Sequence, residues 1–286
     1  MKDSDSAPYA LRCYRYIRLF LQLLAGLLTV GLLFPFYGRE RRWRAIERWS
    51  AGVTRCLGID VTVHGAPPRT QRALLAVSNH VSWVDIQLIH SVWRVRFVAK
   101  SEVRNWPAIG WLSARTGTLF IERGRHRHAA HINQAIHRAF ADGDTIAVFP
   151  EGSTSDGREL LRFHASLLQP AVDENALIVP LALRYLRDDG SVDPAPAYVG
   201  DDSLMDTLSE MVARRRIHAE LHFLEPIDAA GGARRELAQR SHQAIARVIS
   251  PRSAGRAPGT SRDPQGAQPT TAVPTDSRCP APKDSA

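Results

Sequence analysis

Cysteine is scarce in this chain of 286 residues, with Cys13, Cys56 and Cys279 alone. Three thiols so far apart give no disulfide framework and no metal knuckle, and they fit a reducing, cytosolic-side setting. The glycine patterns that cradle nucleotide phosphates, G-x-G-x-x-G and G-x-x-x-x-G-K-[ST], are both absent. So is the G-x-S-x-G elbow that a serine hydrolase uses to present its nucleophile. No internal repeat is found. Acidic residues are outnumbered, 29 against 37 basic ones, for a formal charge of +8. That balance suits an anionic membrane surface, a nucleic acid or phosphorylated ligands. Much of the excess flanks one apolar segment instead of forming a stripe with interleaved aromatics, which favours membrane lipid over nucleic acid.

That segment is residues 19–37, LFLQLLAGLLTVGLLFPFY, which carries no charge. At about 1.5 Å rise per residue it just spans a hydrocarbon core. Arg12, Arg15 and Arg18 precede it, and Arg39, Arg41, Arg42 and Arg44 follow it. Arginine on both flanks suits a spanning helix, or one that enters one leaflet and returns, or one that lies in the interface. Pro35 is expected to end or bend it. A buried core helix is the alternative.

The chain divides by composition into three parts. Residues 1–57 comprise a basic arm, the apolar segment 19–37, and a stretch 39–57 with Trp43, Ile46, Trp49, Val53 and Leu57 at helical spacing. The last reads as an amphipathic helix on a membrane surface. Residues 58–250 alternate strand-like runs (59–63, 73–78, 95–99, 118–122, 144–149, 177–183 and 218–224) with helical ones (83–93, 126–142, 203–215 and 233–249). This alternation predicts an α/β domain with a mixed, largely parallel central sheet flanked by helices. Residues 251–286 are rich in Pro, Ser, Gly and Ala with almost no large apolar side chains, and are read as a disordered tail.

The motif NHVSWVD, residues 79–85, follows the strand-like run 73–78 and opens a helical one. It sets His80 five positions before Asp85. On a continuous helix that step rotates by about 140° and splays the side chains apart. They meet only if His80 lies in the turn before the helix and Asp85 in its first turn. Ser82-Trp83-Val84-Asp85 reads as a capping box, with Ser82 as N-cap and Asp85 at the third helical position. Asp85 is then placed to hold the imidazole of His80 in one tautomer, as a carboxylate does beside a general base. The bland alternative is a capping carboxylate beside a polar turn residue.

Three further blocks bear on chemistry. GTLFIERG, residues 117–124, ends a strand on Arg123, whose planar fork suits phosphate oxygens. In FPEGSTSDG, residues 149–157, the run Glu151-Gly152-Ser153-Thr154 can turn backbone N–H groups toward an anion. Glu151 can instead accept from a substrate hydroxyl or from Arg123. Pro180 interrupts a core strand, which implies an edge or a bulge.

In order and content, these four blocks resemble the glycerolipid acyltransferase family, specifically the 1-acylglycerol-3-phosphate acyltransferases. The family pattern NHxSxxD, GxxFIxR, FPEG[TS] and a [VI]P strand maps onto Asn79–Asp85, Gly117–Arg123, Phe149–Ser153 and Val179-Pro180. The resemblance implies that His80 is the general base and Asp85 its orienter. It implies that Arg123, Glu151, Gly152 and Ser153 bind the acceptor head group. The acyl donor is then acyl-CoA or acyl carrier protein, used as a co-substrate, with no bound cofactor, no metal and no covalent acyl-enzyme. The expected partners are a lysophospholipid acceptor and membrane lipids, and the expected location is the cytoplasmic face of the inner (plasma) membrane. The implied reaction acylates 1-acyl-sn-glycerol-3-phosphate to give phosphatidic acid. Two departures keep another acceptor, such as lyso-ornithine lipid, in view. Thr154 stands where the family often has arginine, and Phe163 is followed by His164-Ala165-Ser166. A non-catalytic membrane-binding protein is the more remote alternative.

Overall fold

The computed structural model describes residues 6–121 and 126–250. The helix α1 (Tyr9–Leu28) begins ten residues before the uncharged run, so the expected basic arm is itself helical from Tyr9. It continues through a π-helical turn, Thr29–Leu33, into a 3-10 turn, Phe34–Phe36, where Pro35 ends it. After Gly38 the chain forms α2 (Arg39–Leu57), which Gly58 stops in the left-handed conformation at φ 74°.

An eight-stranded sheet follows. In chain order its elements are β1 (Ile59–His64), β2 (Leu74–Ser78), α3 (Val84–His90), β3 (Arg96–Lys100), α4 (Ile109–Arg115) and β4 (Leu119–Ile121). Next come α5 (His126–Ala141), β5 (Ile146–Val148), α6 (Gln169–Asp173) and β6 (Leu177–Leu186). The set closes with α7 (Leu204–Ala213), β7 (Ile217–Phe223), β8 (Ile227–Asp228) and α8 (Arg234–Ile249). The spatial order is β1-β7-β6-β2-β5-β3-β4, with β8 paired to β6. Strands β6, β2, β5, β3 and β4 run parallel, and β7 is antiparallel to β6. This is the mixed, largely parallel sheet that the alternating pattern predicts.

Helices cover both faces. Val53 and Leu57 of α2, Leu88 and Ile89 of α3 and Met211 of α7 pack on Leu181, Leu183 and Leu221. On the other face Ile136 and Phe140 of α5 and Leu237 and Ile245 of α8 pack on Val77, Ile146 and Ile178. Strands buried on both sides need continuous apolar runs, and β2 and β5 are buried at every position.

Two expectations are corrected here. The apolar stripe of α2 faces protein, not a membrane surface: Ile46, Val53 and Leu57 are buried. Because Val53 and Leu57 belong to the sheet's own core, the boundary expected at 57/58 does not separate two cores. Pro180 lies on β6, between β7 and β2, so it is not on an edge strand, but the antiparallel register slips by one residue between Ile178↔Ile227 and Leu181↔Phe223, which is the bulge expected of it. Its carbonyl accepts from Leu224 N, so its ring nitrogen faces the side where β6's partner changes from β8 (up to Ile178) to β7 (from Leu181). The missing donor falls in that gap, where no ladder bond is lost.

Two of the arginines flanking the apolar segment are also spent on backbone carbonyls of the protein. Arg15 is buried, and its guanidinium donates to the carbonyls of Val212, Arg214 and Arg215 at the end of α7. Arg42 Nε donates to the carbonyls of Phe34 and Tyr37, closing the turn after the apolar helix. Between them Trp49 Nε1 donates to Gln22 O at 2.7 Å, and Gln22 Nε2 to Trp49 O at 2.9 Å. The helix is therefore tied to the domain along most of its length. The tail expected from residue 251 onward lies outside the described residues.

Candidate functional site

Strands β2 and β5 are neighbours and parallel, with Val77 opposite Val148. The chain leaving each therefore emerges at the same carboxyl edge of the sheet, the usual place for an α/β site. His80 follows β2 by two residues and Glu151 follows β5 by three. The side chain of Asn79 makes the transition at β2. Its Nδ2 donates to Leu183 O at 3.0 Å, and its Oδ1 accepts from Leu183 N at 2.8 Å. The amide thus bonds to β6 while the backbone turns away.

His80 and Asp85 meet as the spacing requires. Nδ1 of His80 lies 2.8 Å from Oδ2 of Asp85. The same oxygen accepts from Val81 N at 2.7 Å and Ser82 N at 2.9 Å, while Oδ1 accepts from the Tyr185 hydroxyl at 2.5 Å. Asp85 is fully buried, so these donors replace water around its charge. An ionised acceptor requires Nδ1 to carry the proton. Nε2 is then left with a lone pair, and the imidazole retains 19% of its exposure. Phe149 stacks on the ring at 3.9 Å between centroids and 9° between planes, and Phe97 stacks behind Phe149 at 5.5 Å. Ring plane, tautomer and depth are all fixed by neighbours.

The capping box forms only in half. The Asp85 carboxylate reaches back to Ser82 N, but α3 starts at Val84 with Trp83 as N-cap, and Asp85 is its second residue. The buried Ser82 hydroxyl finds no hydrogen-bond partner among the described residues. The carboxylate gathers three N–H groups of the turn 80–82, and that geometry starts the helix one residue late.

Glu151 is close to the dyad, and each of its oxygens accepts from a backbone N–H. Oε1 accepts from His80 N and Oε2 from Leu161 N, both at 2.8 Å. It is a clamp between the turn after β2 and the loop after β5. Burial pushes its carboxyl up to about 7, against the pull of those two N–H donors, with the Asp85 charge adding to the rise. Gly152 has φ 70° and uses its N–H on Phe149 O, so the expected run of outward-facing N–H groups is partly spent within the turn. Ser153 is exposed at the rim. Ser155 N donates to His80 O at 2.8 Å, and the Thr154 hydroxyl donates to Tyr198 O. Tyr198 N in turn donates to Val81 O, so the segment 187–203 is strapped to both loops. Arg123 lies outside the described residues; β4 ends at Ile121 on this same edge.

Asn79 and Tyr185 are the polar residues that reading the sequence left without a role. The expected strand 177–183 stopped two residues short of Tyr185. Alternation held the signal, because Leu181, Leu183 and Tyr185 share the face that packs on α3.

Two other features are distinct from this site. A cavity of about 530 Å³ opens near the amino ends of β3 and β5, lined by Trp43, Glu47, Arg94 and Asp144 among others. Its charges pair with one another, Arg94 with Glu40 and Glu47, and Arg39 and Arg96 with Asp144. On β1 and β7, His64, Glu220 and His222 bring ligand atoms within 4.8 Å. The two imidazoles stack at 4.1 Å with planes 10° apart, and Glu220 already pairs with Arg184. Stacked rings keep their in-plane lone pairs in separate parallel planes, so one ion cannot lie in both.

Comparison with known proteins gives one answer. A family model described as Acyltransferase matches residues 60–184. The lyso-ornithine lipid O-acyltransferase of Pseudomonas aeruginosa is 37% identical over 211 residues, covering 74% of this chain and 78% of that protein. The 1-acyl-sn-glycerol-3-phosphate acyltransferase of Neisseria meningitidis serogroup B is 35% identical over 191 residues, covering 67% and 74%. In fold, the chain is similar to the crystal structure of the 1-acyl-sn-glycerophosphate acyltransferase PlsC from Thermotoga maritima. The TM-score is 0.63 at 22% identity, covering 87% of this chain and 97% of that one.

Proposed function

The chain belongs to the glycerolipid acyltransferase family, and from that premise we propose how and on what it acts. The observation that carries the mechanism is the His80–Asp85 pair at the carboxyl edge, with Nε2 open. Nε2 takes the proton of a lysolipid hydroxyl, and the oxygen attacks the thioester carbonyl of acyl-CoA or acyl carrier protein. As the C–S bond breaks, the imidazolium returns the proton to the departing thiolate. Acylated lipid and free thiol leave, and His80 is neutral again. Asp85 steadies the imidazolium and keeps Nδ1 protonated throughout. No bound cofactor and no covalent acyl-enzyme enter this scheme.

The proposed acceptor is lyso-ornithine lipid. A phosphate monoester calls for a cluster of cations, yet residues 151–157 contain none. Thr154, within that loop, is engaged with Tyr198 O. An ornithine head group carries charges of both signs and demands less. The relative in P. aeruginosa supports this acceptor. The relative in N. meningitidis supports the second reading, 1-acyl-sn-glycerol-3-phosphate. Purified enzyme assayed with both acceptors, and with acyl-CoA and acyl carrier protein as donors, separates them. At least about ten-fold higher kcat/KM for lyso-ornithine lipid is expected. Equal or reversed preference assigns the phosphate acceptor, and no transfer to either rejects both.

We further propose that the protein sits on the membrane through α1 without crossing it. Tyr9–Phe36 is long and apolar enough to cross, and only 17% of its most apolar window is buried, which argues against a core helix. Ile17, Phe20, Leu21, Leu24, Leu28 and Leu32 form an exposed stripe at helical spacing. The opposite side is tied to the domain from Arg15 to Phe34. An in-plane helix satisfies both faces, and orientation toward the cytoplasm is the one in which thioester donors are met.

A further inference from the structure

Asp85 receives its donors unevenly. Three N–H groups, from His80 Nδ1, Val81 and Ser82, converge on Oδ2. The Tyr185 hydroxyl is the donor to Oδ1, at 2.5 Å. All the Oδ2 donors come from the one turn 80–82. Tyr185 comes from β6, a strand hydrogen-bonded on both sides, parallel to β2 and antiparallel to β7. Its ring is 2% exposed and belongs to the core, so the hydroxyl cannot follow Asp85 if the carboxylate rotates. Two positions earlier on β6, Leu183 holds both ends of the Asn79 amide. One strand therefore grips the motif at its first residue and its last.

We propose that Tyr185 is a positioning residue for acyl transfer, fixing the Asp85 carboxylate against rotation and tuning its hold on His80 Nδ1. The inference rests on the reading of His80 as general base. Burial and the neighbouring Asp85 charge raise the Tyr185 phenol well above its ordinary value, so it stays a donor across the working range. The titratable groups facing Asp85 are His80, Tyr185 and Glu151. Without the phenol, more of the carboxylate's negative charge is left for the imidazole. Protonated His80 is then favoured, and the neutral base is regained only at higher pH.

Tyr185→Phe removes the hydroxyl and keeps the ring. In folded variant protein, kcat for acyl transfer should fall roughly ten-fold with KM for both substrates nearly unchanged. The acid limb of the kcat profile should move to higher pH. Replacing Tyr185 alone by 3,5-difluorotyrosine strengthens the donor and should move the limb to lower pH, so the proposal is decided even if the phenylalanine variant does not fold. A tyrosine that served packing alone would leave the limb in place in both proteins, and that result overturns the proposal. His80→Ala, run in parallel, separates the two levels. An active alanine variant removes the general-base reading itself. An inactive one beside unmoved Tyr185 profiles removes only the role of Tyr185.

Discussion

The turn 79–85 and the helix α1 depart from the ordinary distribution of polarity in opposite directions. In the turn and at the Glu151 clamp beside it, polar groups are buried: Asn79, Asp85 and Glu151 are each 4% exposed or less. Their hydrogen-bonding groups are met by partners set at 2.5 to 3.0 Å. On α1, apolar groups are exposed, with Phe20 at 66% and Leu32 at 62%, and nothing among the described residues covers them. Buried polarity and exposed apolar patches are the two signals that carry functional meaning in a soluble-looking domain. Here the first is closed by the protein itself, the Ser82 hydroxyl apart, and marks chemistry. The second is left open and marks a surface completed by something else. Substitutions at the first should change rates with little effect on where the protein resides, and substitutions at the second should do the reverse.

The largest break in that contrast comes from His80→Ala, which should reduce turnover by about 10²–10⁴-fold while membrane binding persists. Asp85→Asn should be similarly severe, because an amide offers Nδ1 the wrong tautomer. Steady-state assays beside vesicle co-sedimentation check both halves, and loss of binding would mean that the two regions are not separable. Next in size is the converse experiment. Replacing Phe20, Leu24 and Leu28 together by serine removes three apolar side chains from the exposed stripe. Partition onto lipid vesicles should weaken by at least about ten-fold. Turnover on detergent-solubilised lysolipid should stay near that of the parent. Retained binding in high salt would place the membrane contact elsewhere, since apolar burial is not screened.

A smaller effect tests the clamp. Glu151 stays protonated up to about 7, whereas an unfolded glutamate ionises near 4.5. Between those values the folded state holds a proton that the unfolded state has released. Stability from this group is therefore greatest at the acid end, declines as pH rises from about 4.5 to about 7, and is level above that. Glu151→Gln cannot ionise, so its unfolding midpoint should change less between pH 5 and pH 8 than the parent's. Equal slopes in the two proteins would mean that the carboxyl is already ionised when folded. The smallest effect is expected at the far end of the chain. Ending it at Ser250 removes a segment too poor in apolar residues to pack, and should leave both turnover and unfolding temperature nearly unchanged.

What was legible in the sequence followed from periodicity and local spacing. Apolar runs marked β1 to β7 within a few residues, and helical spacing placed α2 at 39–57. The five-residue step between His80 and Asp85 announced their meeting. What was hidden depended on partners distant in the chain. The amphipathic pattern of α2 states that a face is covered but not by what, and the cover proved to be α3, α1 and β1. Arg15 reads as a membrane-flanking cation, yet its carbonyl partners lie some two hundred residues away. The box expected at Ser82 formed only in part because Asp85 had three further donors to serve. A complete box stands at Ser203 and Asp206 on α7, where the aspartate has no such duty. Tyr185 meets Asp85 across a hundred residues, which no local pattern encodes.

Asn79 gives the edge of the sheet a surrogate peptide group. Its amide presents one N–H and one C=O to Leu183 in the pairing a further strand residue would offer. The ladder therefore runs one rung beyond the point where the main chain leaves it. Freed a residue early, the backbone can swing through His80 without fraying β2 from β6. Aspartate, with two acceptors, would face the Leu183 carbonyl with a repelling oxygen, and serine would span one bond of the two. The choice of asparagine beside the histidine is thus a matter of carpentry more than of reactivity. It lets a strand end abruptly and still be fastened at its tip.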